Sequence, residues 1–211
     1  MGVYWTMKYP NKKDELLLND WGLKGKPLNV KIYTPIKFFE ENKKKGIPTD
    51  EPFSIKASDL SAADWCLSFE IKETEPIGVL IERTINDLVE SKGEFIIRDI
   101  IEAIKKDEKS EKAVKNAAEN RFLTADKWGV FSDTGTNIVD MAKGGQVTVL
   151  DVSAYATTPG GWKIKALVIG LVSQKLFIQR MIARKEEEYK AVQGALRYYS
   201  EDTDKKDKTP L

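Results

Sequence analysis

Gln146-Val147-Thr148-Val149-Leu150-Asp151-Val152 reads as a β-strand, built from β-branched residues and Leu150 and closing on a carboxylate. Gly144-Gly145 breaks the chain before it, and the turn Thr158-Pro159-Gly160-Gly161 follows. Beyond that turn a long helix is predicted from about Lys163 to Arg197. Strand, short turn and long helix form the repeating unit of an α/β protein, so this stretch sets the fold class. It predicts a buried strand of an α/β sheet, with Asp151 at the carboxyl edge where such sheets place their chemistry. The helix is apolar nearly all round from Ala166 to Phe177, which predicts burial, and amphipathic from Arg180 onward.

Working upstream, Leu28-Asn29-Val30-Lys31-Ile32-Tyr33 alternates as a half-buried strand does, and Thr34-Pro35 ends it. Residues 41–52, with Lys43 to Lys45, Gly46, Pro48 and Pro52, read as an exposed loop, and Phe53 to Lys56 as a second short strand. Ser61-Ala62-Ala63-Asp64 resembles a capping box opening a helix through Leu67. Pro76 marks the first turn of another helix, Ile77 to Val89, whose apolar face is read as Val79, Ile81, Ile85, Leu88 and Val89, with Gly93 as its stop. Ile96 to Ile104 continues as helix, and the charged, Ala-rich stretch Asp107 to Asn120 reads as a solvated one. The opening to about Gly25 is an aromatic loop with a short helix near Asp14 to Leu18. The domain plan is therefore 1–59 as aromatic loop and edge strands, 60–128 as a helical insertion, 129–199 as core strand and long helix, and 200–211 as a charged, disordered tail.

Composition closes several routes. Histidine is absent, so Ser-His-Asp and Cys-His catalysis and His-containing zinc sites have no basis here. Cys66 is the single cysteine, which excludes a disulfide within the chain and suits a cytoplasmic setting. With 34 basic and 33 acidic residues, no global attraction to nucleic acid or lipid follows. The opening lacks the pattern of a signal peptide, and the apolar run Ala166–Val172 is too short to span a bilayer, so no membrane association is expected. The charge load suits a thermophile rich in surface ion pairs.

Phosphate chemistry would need a Gly-rich loop ending in Lys-Ser/Thr between a strand and a helix. Lys143-Gly144-Gly145-Gln146 precedes a strand, and Gly160-Gly161-Trp162-Lys163 lacks the loop length, so both read as plain turns. An apolar strand ending in Asp-Glu is likewise missing, because Val152 follows Asp151. Asp151 with Ser153 is the one candidate metal pair, a carboxylate and a hydroxyl two residues apart. The plainer reading is that Asp151 caps the loop after the strand. Catalytic residues are not assignable. Carboxylate runs such as Glu40-Glu41 and Glu186 to Glu188 read as solvated faces, and Arg180, Arg184 and Lys185 as partners of Glu187 and Glu188. Trp5, Lys8, Tyr9, Lys12 and Lys13 interleave rings and cations as a single-strand binder does, although a partly buried aromatic loop is the simpler account.

The run from Gly144 to Ser153, then Gly160-Gly161-Trp162 and the helix through Arg180-Met181-Ile182-Ala183-Arg184-Lys185-Glu186-Glu187-Glu188, resembles archaeal P-loop ATPases of the HerA–FtsK superfamily. The opening Met1 to Asn11 resembles the segment after that family's second core strand, and Leu60 to Cys66 and Glu75 to Arg83 resemble its helical insertion. The resemblance implies a partial RecA-like sheet with a mainly helical insertion. It also implies a parent that is a hexameric, ATP- and Mg²⁺-dependent DNA translocase, in some members working beside a nuclease. The family's P-loop would precede Met1 and its acidic strand would follow Leu211, so none of its phosphate or metal residues maps onto this chain. The expectation is a fragment without a cofactor-binding or metal site of its own and without ATP turnover, with exposed sheet edges that favour self-association. Two other expectations stand beside it: an interaction module docking through its long helix, and a small-molecule enzyme using Asp151 and Ser153.

Overall fold

The computed structural model of the protein describes residues 3–158 and 160–199. The chain divides into two compact units, Met1–Val168 and Ile169–Leu211.

In the first unit, β1 (Val30–Pro35) lies between β2 (Glu51–Phe53) and β3 (Val147–Leu150), and both neighbours run parallel to it. Tyr33 stands opposite Glu51 on one side, and Ile32 opposite Val149 on the other. Parallel neighbours need a crossover. Helix α3 (Ile36–Lys44) makes the first one, while residues 54–146 separate β2 from β3. The fold is thus mixed α/β but mostly helical, around a small parallel sheet. The central strand is almost wholly buried, with Ile32 and Phe53 of its neighbour fully so. Every residue of β3, by contrast, is only half-buried, which corrects the expectation of a buried strand. Among the described residues β3 pairs on one side alone, so its second edge has no strand to cover it.

The strand is also shorter than Gln146–Val152. Gln146 belongs to the preceding turn through its N–H bond to the Lys143 carbonyl. At the far end Val152 leaves the extended region, at φ −98° and ψ 14°, as the chain enters a 3₁₀ turn, Ser153–Thr157.

Helices α4 (Ala62–Phe69), α5 (Pro76–Ser91), α6 (Ile97–Lys106) and α7 (Lys112–Asp126) form the helical part. The capping box is present as read: Ser61 Oγ accepts the Asp64 N–H, and Asp64 Oδ2 accepts the Ser61 N–H at 2.9 Å. Pro76 opens α5, and Gly93 follows it with φ +73°. The buried face of α5 is Leu80, Ile81, Thr84 and Ile85, whereas Val79 and Val89 are exposed. In α6, Ile97, Ile100, Ile101 and Ile104 fall at i, i+3, i+4 and i+7 and are all buried, each burial contributing about 2 kcal/mol. α7 starts five residues later than read, because Asp107 ends α6 and folds the link. Nor is α7 fully solvated, since Ala118, Phe122 and Ala125 are buried. Their neighbours are aromatic: the Trp65 ring centre lies 5.0 Å from that of Phe122 and 5.3 Å from that of Phe131.

The opening contains two short helices, α1 (Val3–Thr6) and α2 (Glu15–Asp20). Tyr9 and Trp21 are largely exposed, so this loop is less buried than the simple account holds. A further short helix, α8 (Ile138–Met141), precedes β3.

Helix α9 (Gly161–Tyr199) begins in the first unit, where Ile164 and Val168 are buried. In the second unit it is one continuous helix. Leu171 is buried there but Ile169 and Phe177 are exposed, so the expected burial from Ala166 to Phe177 holds only in part. Arg180 pairs with Glu187 at 2.9 Å and Arg184 with Glu188 at 3.1 Å, the surface ion pairing read from the sequence. Within Gly161–Gly194 an 18-residue window reaches a mean hydropathy of 1.4, so by length and composition alone this helix could cross a bilayer, which the run Ala166–Val172 could not. The charged tail 200–211 lies outside the described residues.

Candidate functional site

The place to look for chemistry is the carboxyl edge of the parallel sheet, where strand ends and helix starts converge. Asp151 stands there. Its backbone N–H donates to the Tyr33 carbonyl at 2.8 Å, continuing the ladder one step past β3. Its Oδ1 accepts the Ser153 N–H at 2.9 Å. The structure therefore does bring Asp151 and Ser153 together, through a backbone donor rather than through two side chains facing a shared cation. This is the geometry of a carboxylate that organises the turn after its strand. Both residues are half-buried. Among the described residues, no group of three or more His, Cys, Asp or Glu side chains is placed to hold a metal.

Tyr155, one residue beyond Ala154 in the 3₁₀ turn, is buried, and its hydroxyl donates to the Trp128 carbonyl at 3.1 Å. Its ring meets Phe38 edge-on at 5.3 Å. Burial pushes the Tyr155 phenol well above its ordinary range, so it stays protonated and acts as a structural donor. Lys37 adds a second tie, with its N–H on the Gly129 carbonyl and its ammonium on the Lys127 carbonyl at 2.9 Å. The loop 127–131 is thereby tied to the start of α3, and it pairs with Ile55 through the Val130 carbonyl.

The two glycine pairs are turns, each for a visible reason. Gly145 takes φ +74° with open space around it, a tight reversal ahead of β3. Gly160 takes φ +70°, and a Cβ on Gly161 would clash with the Tyr155 carbonyl oxygen. The start of α9 is thus pressed against the preceding turn, and the Gly161 N–H is bonded to the Thr158 carbonyl. A phosphate cradle requires free N–H groups turned toward an open space. The Gly160-Gly161 turn, with its Gly161 N–H already bonded, does not have the form of such a cradle.

A cleft of about 290 Å³ lies between the start of α6, the end of α7 and the strand-like bridge at Phe131. Its apolar wall comes from Ala57, Ile101 and Phe131, and Arg98, Asp126 and Asp133 supply charge. It lies at the lower limit of small-molecule pockets and has room for one small, partly apolar group. No sequence signal marks it, because its wall joins residues more than seventy positions apart.

Of the ring-and-cation loop near the start, Lys8 is engaged with Asp50, whose carboxylate also accepts the Ile32 N–H at 2.7 Å. Lys12 and Lys13 are exposed beside Tyr9. Cys66 is buried, and burial raises its thiol pKa, which makes it an inert core residue.

No family model, curated protein or solved structure matches this chain.

Proposed function

We propose that this chain is the part of a HerA–FtsK-type DNA-translocating ATPase lying between the two nucleotide motifs, and that it does not turn over ATP alone. The observation carrying this reading is β3. It is apolar, parallel to β1 and only half-buried, with one edge free among the described residues. Parallel strands of this composition occupy sheet interiors, covered on both faces. A neighbouring strand along the free edge would give β3 that environment. The helices between β2 and β3 fit an insertion into such a sheet, as the resemblance implies. In the parent, ATP, Mg²⁺, a hexameric ring, duplex DNA and an associated nuclease belong to the same proposal, as does a cytoplasmic location.

The reading is tested by sequencing the coding DNA on both sides of this stretch and by assaying the purified chain. It expects a P-loop upstream and an Asp-Glu strand downstream, and phosphate release with duplex DNA no faster than buffer. Saturable, Mg²⁺-dependent ATP binding at micromolar concentration by this chain would refute it.

A second reading, an interaction module working through its long helix, is favoured by the exposed apolar residues of α9, among them Phe177, Met181 and Tyr189. Pull-down of a stoichiometric partner by a gene product no longer than this chain would decide for it.

A further inference from the structure

Beyond Val168, α9 carries an apolar face with a charged middle. Phe177, Ile178, Met181, Ile182, Tyr189 and Val192 recur at helical spacing, and each is 48% to 65% exposed. At about 100° per residue they fall on one side of the helix. Lys185 and Glu188 stand on that same side, in the gap between Ile182 and Tyr189. The Arg180–Glu187 ion pair lies on the opposite side. The face is thus two apolar patches, 177–182 and 189–192, with one positive and one negative residue between them.

We propose that this face is an interface with a second copy of the chain, the two helices antiparallel about a two-fold axis near residues 186 and 187. This pairing sets Met181 and Ile182 of each copy opposite Val192 and Ala191 of the other. It also sets Lys185 opposite Glu188 of the second copy, twice over, as two-fold symmetry requires. A parallel pair in register would put Lys185 on Lys185 and Glu188 on Glu188, and like charges in contact oppose association. Apolar pattern makes the face adhesive, and charge order selects its direction. A membrane surface lacks such a selective element, and it would receive Lys185 and Glu188 in the middle of its apolar contact. The inference rests on α9 alone and stands whether or not the translocase reading does.

Sedimentation of the full chain should show a concentration-dependent dimer. Lys185→Glu or Glu188→Lys alone should weaken it by at least about tenfold, and the double exchange should restore it to within about threefold. Circular dichroism of each variant checks that the helix persists. Cys66 is buried, so a spin label on Ser173→Cys, an exposed position, reports the geometry. The antiparallel pair separates two such labels by about 40 Å, a parallel pair by less than about 15 Å. A monomer at all concentrations, a short label distance, failure of the double exchange to rescue, or co-flotation with phosphatidylcholine vesicles in place of dimerisation would each overturn the proposal.

Discussion

Arg83 Nη2 donates to Asp107 Oδ1 at 2.6 Å, joining the middle of α5 to the link between α6 and α7. Asp107 also accepts the Ser110 N–H at 2.8 Å, its own carbonyl accepts Lys115 Nζ, and its side chain is only 10% exposed. A hydrogen-bonded charge this sheltered differs from a surface ion pair, because removing one partner leaves the other desolvated. Replacing Asp107 or Arg83 with Ala should cost about 1–3 kcal/mol, read as a lower urea midpoint at unchanged slope. The double variant should cost less than the two single losses added together.

The same carboxylate makes stability depend on acid. Burial alone would raise the Asp107 pKa, but the Ser110 hydroxyl and N–H and the Arg83 guanidinium outweigh it and hold the value below the ordinary 3.8. Asp99 is lowered too, first by the Ile96 N–H and then by Lys92. A group depressed in the folded state stabilises fully above its unfolded pKa and loses that contribution as pH falls through the folded one. The melting temperature should therefore fall below about pH 4. Asp107→Asn should flatten that part of the profile.

At the start of α9, Gly161→Ala should destabilise by about 2 kcal/mol or more, because the new methyl would meet the Tyr155 carbonyl oxygen. Gly170 lies in the same helix, with no atom of the described residues within 4 Å of an added Cβ. There Gly170→Ala should stabilise by about 0.5–1 kcal/mol. Paired melting curves separate a packing requirement from simple helix propensity.

For the carboxyl edge of the sheet, Asp151→Ala should cost about 1 kcal/mol through loss of its bond to the Ser153 N–H. Added Mg²⁺ at millimolar concentration should leave the melting temperature of the native chain unchanged. An increase that disappears in Asp151→Ala would make the residue a ligand instead of a turn organiser.

The aromatic core offers a sharper contrast. Trp65 is fully buried, and its indole Nε1 has no hydrogen-bond partner among the described residues. Trp65→Ala should cost about 3–5 kcal/mol. Trp65→Phe should cost clearly less than its lost volume suggests, since it also removes an unsatisfied buried donor. Urea titration of the two variants side by side checks the ordering.

Local chemistry alone determined where several elements begin and end. Ser61 with Asp64, Pro76 and Gly93 act within a few residues of themselves, so capping and turn geometry were legible before any packing was known. The strand around Val147–Leu150 was legible for the same reason, from β-branched residues between breakers. Tertiary structure alone decided that Ile32 lies beside Val149, a pairing across more than a hundred residues, and that β3 sits at the edge and stays half-exposed. It also decided that Leu80 rather than Val79 is buried, and that Asp151 turns its carboxylate onto the Ser153 N–H. Those outcomes depend on which surfaces meet. A residue's own neighbours in sequence carry the periodicity of a face, but the direction of the contact is set by the partner packed against it.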